Sequence, residues 1–111
     1  MERSINDHCR RQAKVFKALG HPTRLFLVQE LGRSERCVCD LQQLVGSDIS
    51  TVSKHLSVLR EAGLVSDDRR GNQVFYQLDA HCVLDFLGCI DSLQGEAPQA
   101  ILAAPPTTEA S

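Results

Sequence analysis

Residues 35–63 read ERCVCDLQQLVGSDISTVSKHLSVLREAG. Two cysteines, Cys37 and Cys39, stand one residue apart near the front. Asp40 is a good helix N-cap, and Gln43 three residues on completes a capping box. A short helix is expected over about residues 40–45, closed by Gly46, and Ser47-Asp48 makes a tight turn. A second helix is expected over about residues 49–62, with Ile49, Val52, Leu56 and Leu59 spaced 3, 4 and 3. Gly63 ends it. Two short helices joined by a glycine-containing turn describe a helix-turn-helix.

With the buried stripe set at Val52, Leu56 and Leu59, a turn of about 100° per residue puts Ser50, Thr51, Lys54, Ser57 and Glu61 farthest from it. Ser and Thr contact phosphates or base edges, and Lys supplies phosphate charge or a guanine contact. The free N–H groups at the helix start favour a phosphate as well. The expected DNA-facing set is Ser50, Thr51, Ser53, Lys54, His55 and Ser57. A solvated surface helix is the plainer reading, and the flanking elements decide between them.

Downstream, Leu64-Val65 begins a strand, residues 67–72 form a polar tip, and Val74, Tyr76 and Leu78 alternate with Gln73, Phe75 and Gln77. A hairpin directly after a helix-turn-helix is a wing, and Arg69 and Arg70 at its tip would add backbone or minor-groove contacts. A last helix is expected over about residues 80–93, with Cys82, Phe86, Cys89, Ile90 and Leu93 as one stripe. Core packing is the expected role of Cys82 and Cys89.

Upstream, residues 4–19 read as a helix striped by Ile5, Cys9, Ala13, Phe16 and Leu19, closed by Gly20. A second starts at His21-Pro22-Thr23, carries Leu25, Val28 and Leu31, and is expected to stop at Gly32. Residues 33–36 read as a polar link. The expected fold is mainly α with a β-hairpin wing: a winged helix-turn-helix over residues 1–94, with a flexible tail over 95–111. A homodimer is expected, because one reading helix gives weak specificity and paired half-sites lie roughly 34–36 Å apart.

Residues 1–36 carry eight Lys/Arg against four Asp/Glu, a net of +4, whereas residues 77–111 carry five acids and no Lys or Arg, a net of −5. That asymmetry suits DNA on one side. No apolar run reaches the roughly 18 residues of a membrane span, and the first residues lack a signal-peptide core. The expected location is the cytoplasm, where five cysteines argue for reduced thiols rather than a disulfide framework. Thiolates are soft ligands, suited to arsenic(III), antimony(III), cadmium, lead or zinc. In an extended lead-in, Cys37 and Cys39 would point the same way. The plainer reading makes them small hydrophobic residues. A thioredoxin-like enzyme would want C-x-x-C beside a βαβ unit, and no nucleophile–base pair is evident, so an enzyme is not expected.

The pieces FKALGHPTRL at 16–25, CVCDL at 37–41, STVSKHLSVLREAGLV at 50–65 and RRGNQVFYQL at 69–78 together resemble the ArsR/SmtB family of metal-responsive repressors. The resemblance implies a dimeric repressor that leaves operator DNA on binding a metal or metalloid, with no constitutive cofactor. The CVCD piece resembles the thiol-sensing branch, which includes arsenite sensors and cadmium/lead sensors. Arsenite sensors typically show C-x-C-x2-C, and here Gln42 holds the third place. Cys9 is then the candidate third thiolate beside Cys37 and Cys39, alone or from a partner subunit; the alternative for Cys9 is a buried place on the first helix. The zinc site on the family's last helix is matched only by Asp79 and His81, with Ser92 and Gly95 where its second half would stand. Arsenic(III) or antimony(III) is the inducer implied by three sulfurs, with cadmium(II), lead(II) or oxidation and persulfidation of the same thiols as alternatives.

Overall fold

Helix α1, Glu2–Leu19, leads into α2, Pro22–Arg33, then β1, Arg36–Cys37, α3, Val38–Val45, and α4, Ile49–Glu61. Strands β2, Val65–Arg70, and β3, Gln73–Leu78, follow, and α5 is Cys82–Leu93. The computed structural model describes residues 2–95, with side chains from residue 6 onward. The chain divides into two compact units, Met1–Asp79 and Ala80–Ser111. The expected flexible tail lies, apart from Gly95, outside the described residues. Among those described, no helix is long and apolar enough to cross a membrane.

The core of the first unit is built from α2, α3, α4 and the hairpin. Leu27, Leu41, Leu56 and Leu59 are fully buried, joined by Val28, Val52, Leu64, Val65, Tyr76 and Leu78. The stripe expected on α4 is therefore found at Val52, Leu56 and Leu59, but Ile49 is exposed. Ile49 is the first residue of α4, ahead of the turn that packs inward. α2 begins as expected with Pro22 in its first turn, and runs past Gly32 to Arg33, where extended Ser34 stops it.

α3 starts two residues earlier than expected. Arg36 and Cys37 pair antiparallel with Tyr76 and Phe75, so the link expected over residues 33–36 ends in a strand and the sheet has the order β1-β3-β2. Cys37, still extended at φ −81 and ψ 159, becomes the N-cap, without a side-chain cap bond. Asp40 therefore lies in the first turn, where its charge suits the helix dipole, and the capping box does not form. The end of α3 is as expected, with Gly46 in the left-handed region at φ 84. The Gln42 amide donates to the Ser47 carbonyl at 2.9 Å and ties the turn to α3.

The wing is longer than its sequence pattern implied. β2 and β3 pair from Val65↔Leu78 to Arg70↔Gln73, leaving only Gly71-Asn72 as the loop. Gly71 has φ 63, as the first central residue of a two-residue hairpin turn of the II′ kind requires. Residues 67–70 hide this strand from a hydrophobic count because they are polar and exposed.

Two further expectations change. On α1, whose Ile5 side chain lies outside those described, Cys9, Ala13 and Phe16 are exposed, Phe16 at 57%, and among the described side chains only Ala18 and Leu19 at its end are buried. On α5, Val83 and Leu87 are buried, whereas Cys82, Phe86, Cys89 and Leu93 are exposed. Cys82 and Cys89 are thus not core residues of this chain.

Candidate nucleic-acid interface and thiol cleft

On α4 the residues opposite the buried stripe stand free of the core. Ser50, Thr51, Ser53 and Lys54 are exposed and Ser57 is half-buried. Asp48 caps the start of this helix, and Ser50 Oγ donates to its Oδ2 at 3.0 Å. Hydrogen bonds from the Thr51 and Ser50 side chains hold the Asp48 carboxyl below its ordinary range. A carboxylate therefore orders the two leading hydroxyls of the exposed face of α4, a role with no separate signal in the sequence beyond a cap-type residue before the helix.

His55 is placed differently from its neighbours. It is half-buried, and its Nδ1 lies 3.1 Å from Nη1 of Arg24 on α2. Its ring centroid is 4.4 Å from that of His21. Of the expected DNA-facing set, His55 is the member turned toward its own protein.

The two wing arginines also separate. Arg70 Nη1 donates to Glu35 Oε2 at 2.5 Å, its Nε donates to Asp68 Oδ2 at 2.9 Å, and its guanidinium lies 4.5 Å from the Phe75 ring centroid. The Glu35 and Asp68 carboxylates raise its pKa further. Arg70 thus fastens the segment ahead of Cys37 to the wing, while Arg69 is exposed on the same strand.

Cys37 and Cys39 do not share one face of an extended segment. Cys37 is buried at the end of β1 and Cys39 is exposed in the first turn of α3. They still open on one cleft of about 220 Å³, lined also by Val38, Ile49, Ser53, Gln73 and Val74. The cleft is bounded by the start of α3, the start of α4 and the tip of the wing. Gln42, at the position of a third thiol, is spent on Ser47. Among the described residues no three His, Cys, Asp or Glu side chains form a group able to hold a metal ion. Cys9 is therefore not brought to Cys37 and Cys39 within one chain. Asp79 accepts from Ser66 Oγ at 3.1 Å.

The model of the bacterial regulatory proteins of the arsR family matches residues 21–67, from the His21 cap to the first half of the wing. The chain is 39% identical over 89 residues to a transcriptional repressor SmtB homolog of Synechocystis sp., covering 79% of this chain and 67% of that protein. It is 42% identical over 71 residues to the arsenical resistance operon repressor of Escherichia coli, covering 61% and 59%. The chain thus spans about three fifths to two thirds of these relatives' lengths. The solution structure of a homodimeric winged helix-turn-helix DNA-binding domain from Mycobacterium bovis, a possible ArsR-family regulator, aligns with a TM-score of 0.72 and 26% identity over 81% of this chain and 83% of that one. These proteins are DNA-binding regulators, not enzymes. The chain belongs to the ArsR/SmtB family of transcriptional repressors.

Proposed function

We propose that the chain binds operator DNA as a homodimer and releases it when arsenic(III) or antimony(III) is bound by Cys37 and Cys39. The observation that carries this reading is the shared cleft. The two cysteines line the same space as Ile49 and Ser53 of α4 and Gln73 and Val74 of the wing, so ligation there would act on both elements. Ser50, Thr51, Lys54 and Ser57, with Arg69, are the contact set; Ser53 stands between this set and the cleft.

The donor set fits a soft thiophilic ion in kind but is short by one sulfur. Cys37 and Cys39 supply two thiolates, and an arsenic(III) centre is completed by a third. Cys9, exposed on α1, would supply that thiolate from the second copy of a dimer. The exposed apolar residues of α1, and those of α5, support such a dimer. Ligation that draws Cys37 out of its extended N-cap geometry disturbs the β1–β3 pairing and the start of α3. The two reading helices then lose their spacing.

The test uses the full chain and a duplex selected by it from a random library. Arsenite should weaken binding by about 5- to 150-fold, the ordinary range of coupling between two sites. Cys37→Ser should bind the duplex as before and no longer respond. Serine is a favoured N-cap, so this variant keeps the fold. Normal arsenite release by Cys37→Ser would place the site elsewhere. Release by cadmium, lead or peroxide instead of arsenite would keep the thiols and replace the inducer.

A further inference from the structure

We propose that Arg24, His21 and His55 form a proton-sensitive joint that holds the reading helix in register with the first two helices, so that mild acid weakens DNA binding without any thiol ligand. The proposal rests on α4 being the DNA-reading helix.

One guanidinium joins three helices. Arg24 sits on α2; its Nε donates to the Ala18 carbonyl at 2.6 Å and its Nη2 to the Lys17 carbonyl at 3.4 Å, both at the end of α1. Its Nη1 reaches His55 Nδ1 on α4 at 3.1 Å. A guanidinium has donors only, so Nδ1 of His55 must accept. His21 is constrained in the same way. Its Nδ1 accepts from the Thr23 backbone N–H at 3.1 Å as the cap of α2, and a backbone N–H has no acceptor role to exchange. A neutral imidazole offers one acceptor nitrogen. Both rings have spent theirs, so each Nδ1 serves as an acceptor and carries no proton in this arrangement.

Protonation turns each Nδ1 into a donor. α2 then loses its cap bond, and α4 loses its bond to Arg24. The new charges face each other across 4.4 Å between ring centroids, beside a permanent cation. Burial first, then His21 and Arg24, push the His55 pKa below its ordinary 6.5. Among the described residues, the groups that shift His55 are those two, and both push it the same way. Lys17 of α1 meets the joint only through its carbonyl. α3 and β2, also packed on α4, bring no charge that acts on it among the described residues. The sign follows: neutral His55 favours the folded joint fully above pH 6.5, and that contribution is lost as the pH falls through the lowered value. His55 lies between Lys54 on the reading face and Leu56 in the core, so a shift here moves the reading residues themselves.

Histidine protonation ordinarily strengthens DNA binding by adding positive charge, so the expected direction separates the joint from simple charge. The full chain is compared with a proton-blind version, His21→Asn with His55→Asn. Asparagine is a good N-cap, and its carbonyl still accepts from Arg24. Between about pH 7.5 and about pH 5.5, wild-type affinity for the selected duplex should fall roughly fivefold or more, and the Asn version should not follow. Equal falls in both chains, or tighter wild-type binding in acid, would overturn the proposal. Imidazole nitrogen resonances of the labelled, DNA-free chain provide a separate arm. At neutral pH they should report Nε2–H on both rings, with α4 amides shifting as His55 titrates. A proton on His55 Nδ1 at neutral pH would sink the joint. Failure to select any duplex would sink the reading-helix assignment and the DNA half of the proposal, while the imidazole signals still decide the joint.

Discussion

The two ends of residues 35–63 are built by different means. The reading helix owes its faces to its own periodicity: Val52, Leu56 and Leu59 have no exposure at all, and the serines and Lys54 stand on the other side. The thiol pair owes its placement to a distant strand. Cys37 stays extended because it pairs with Phe75, and Cys39 enters a helix because that pairing ends. A helix face is set within one turn of chain, whereas a junction is set by whatever fastens its far side. The placement of the thiol pair therefore depends on the wing, whereas the division of α4 into two faces is set by its own periodicity.

The largest effect should come where both ends share a core. Leu56→Ala removes a fully buried side chain and should cost about 2–5 kcal/mol, measured by urea unfolding. A loss under about 1 kcal/mol would mean that the inner face of α4 is not the common core.

Gly46 lies between the two ends at φ 84, with open space where a Cβ would go. Gly46→Ala should therefore cost only the backbone strain, about 1–2 kcal/mol. Thermal unfolding measures that loss, and the variant's arsenite response shows whether detector and reader communicate through this turn. An unchanged response would direct the coupling through β1 and the wing instead.

The smallest effects divide the wing. Arg69→Ala should lower the slope of log affinity against log salt by about 1. Arg70→Ala should leave that slope unchanged, because Arg70 is held by Glu35 and Asp68. Salt titrations of the two variants on one duplex decide it. Equal slopes would put both arginines on the DNA.

Much of the fold was legible because its signals are local. The α4 stripe, the glycine at the end of α3, Pro22 in the first turn of α2 and the alternation of Val74, Tyr76 and Leu78 all appear where periodicity and turn chemistry place them. The departures from that pattern have different causes. A two-residue strand has no period to detect, so β1 was invisible, and with it the true start of α3. The exposed half of β2 carries no hydrophobic alternation. The stripe of α1 is real as a pattern, but Cys9, Ala13 and Phe16 on it stay exposed.

The sequence by itself determined the order of elements, the buried face of the reading helix and the family, because these follow from short-range spacing and from motifs read residue by residue. Tertiary structure alone decided which of two adjacent arginines is spent on the protein, that His21, Arg24 and His55 meet, and that the two thiols share a cleft with α4 and the wing. Those facts depend on contacts between residues far apart in the chain. The physical reason is that hydrogen bonds and ion pairs require positions within about 3–4 Å, and one-dimensional spacing does not determine such distances across separate elements.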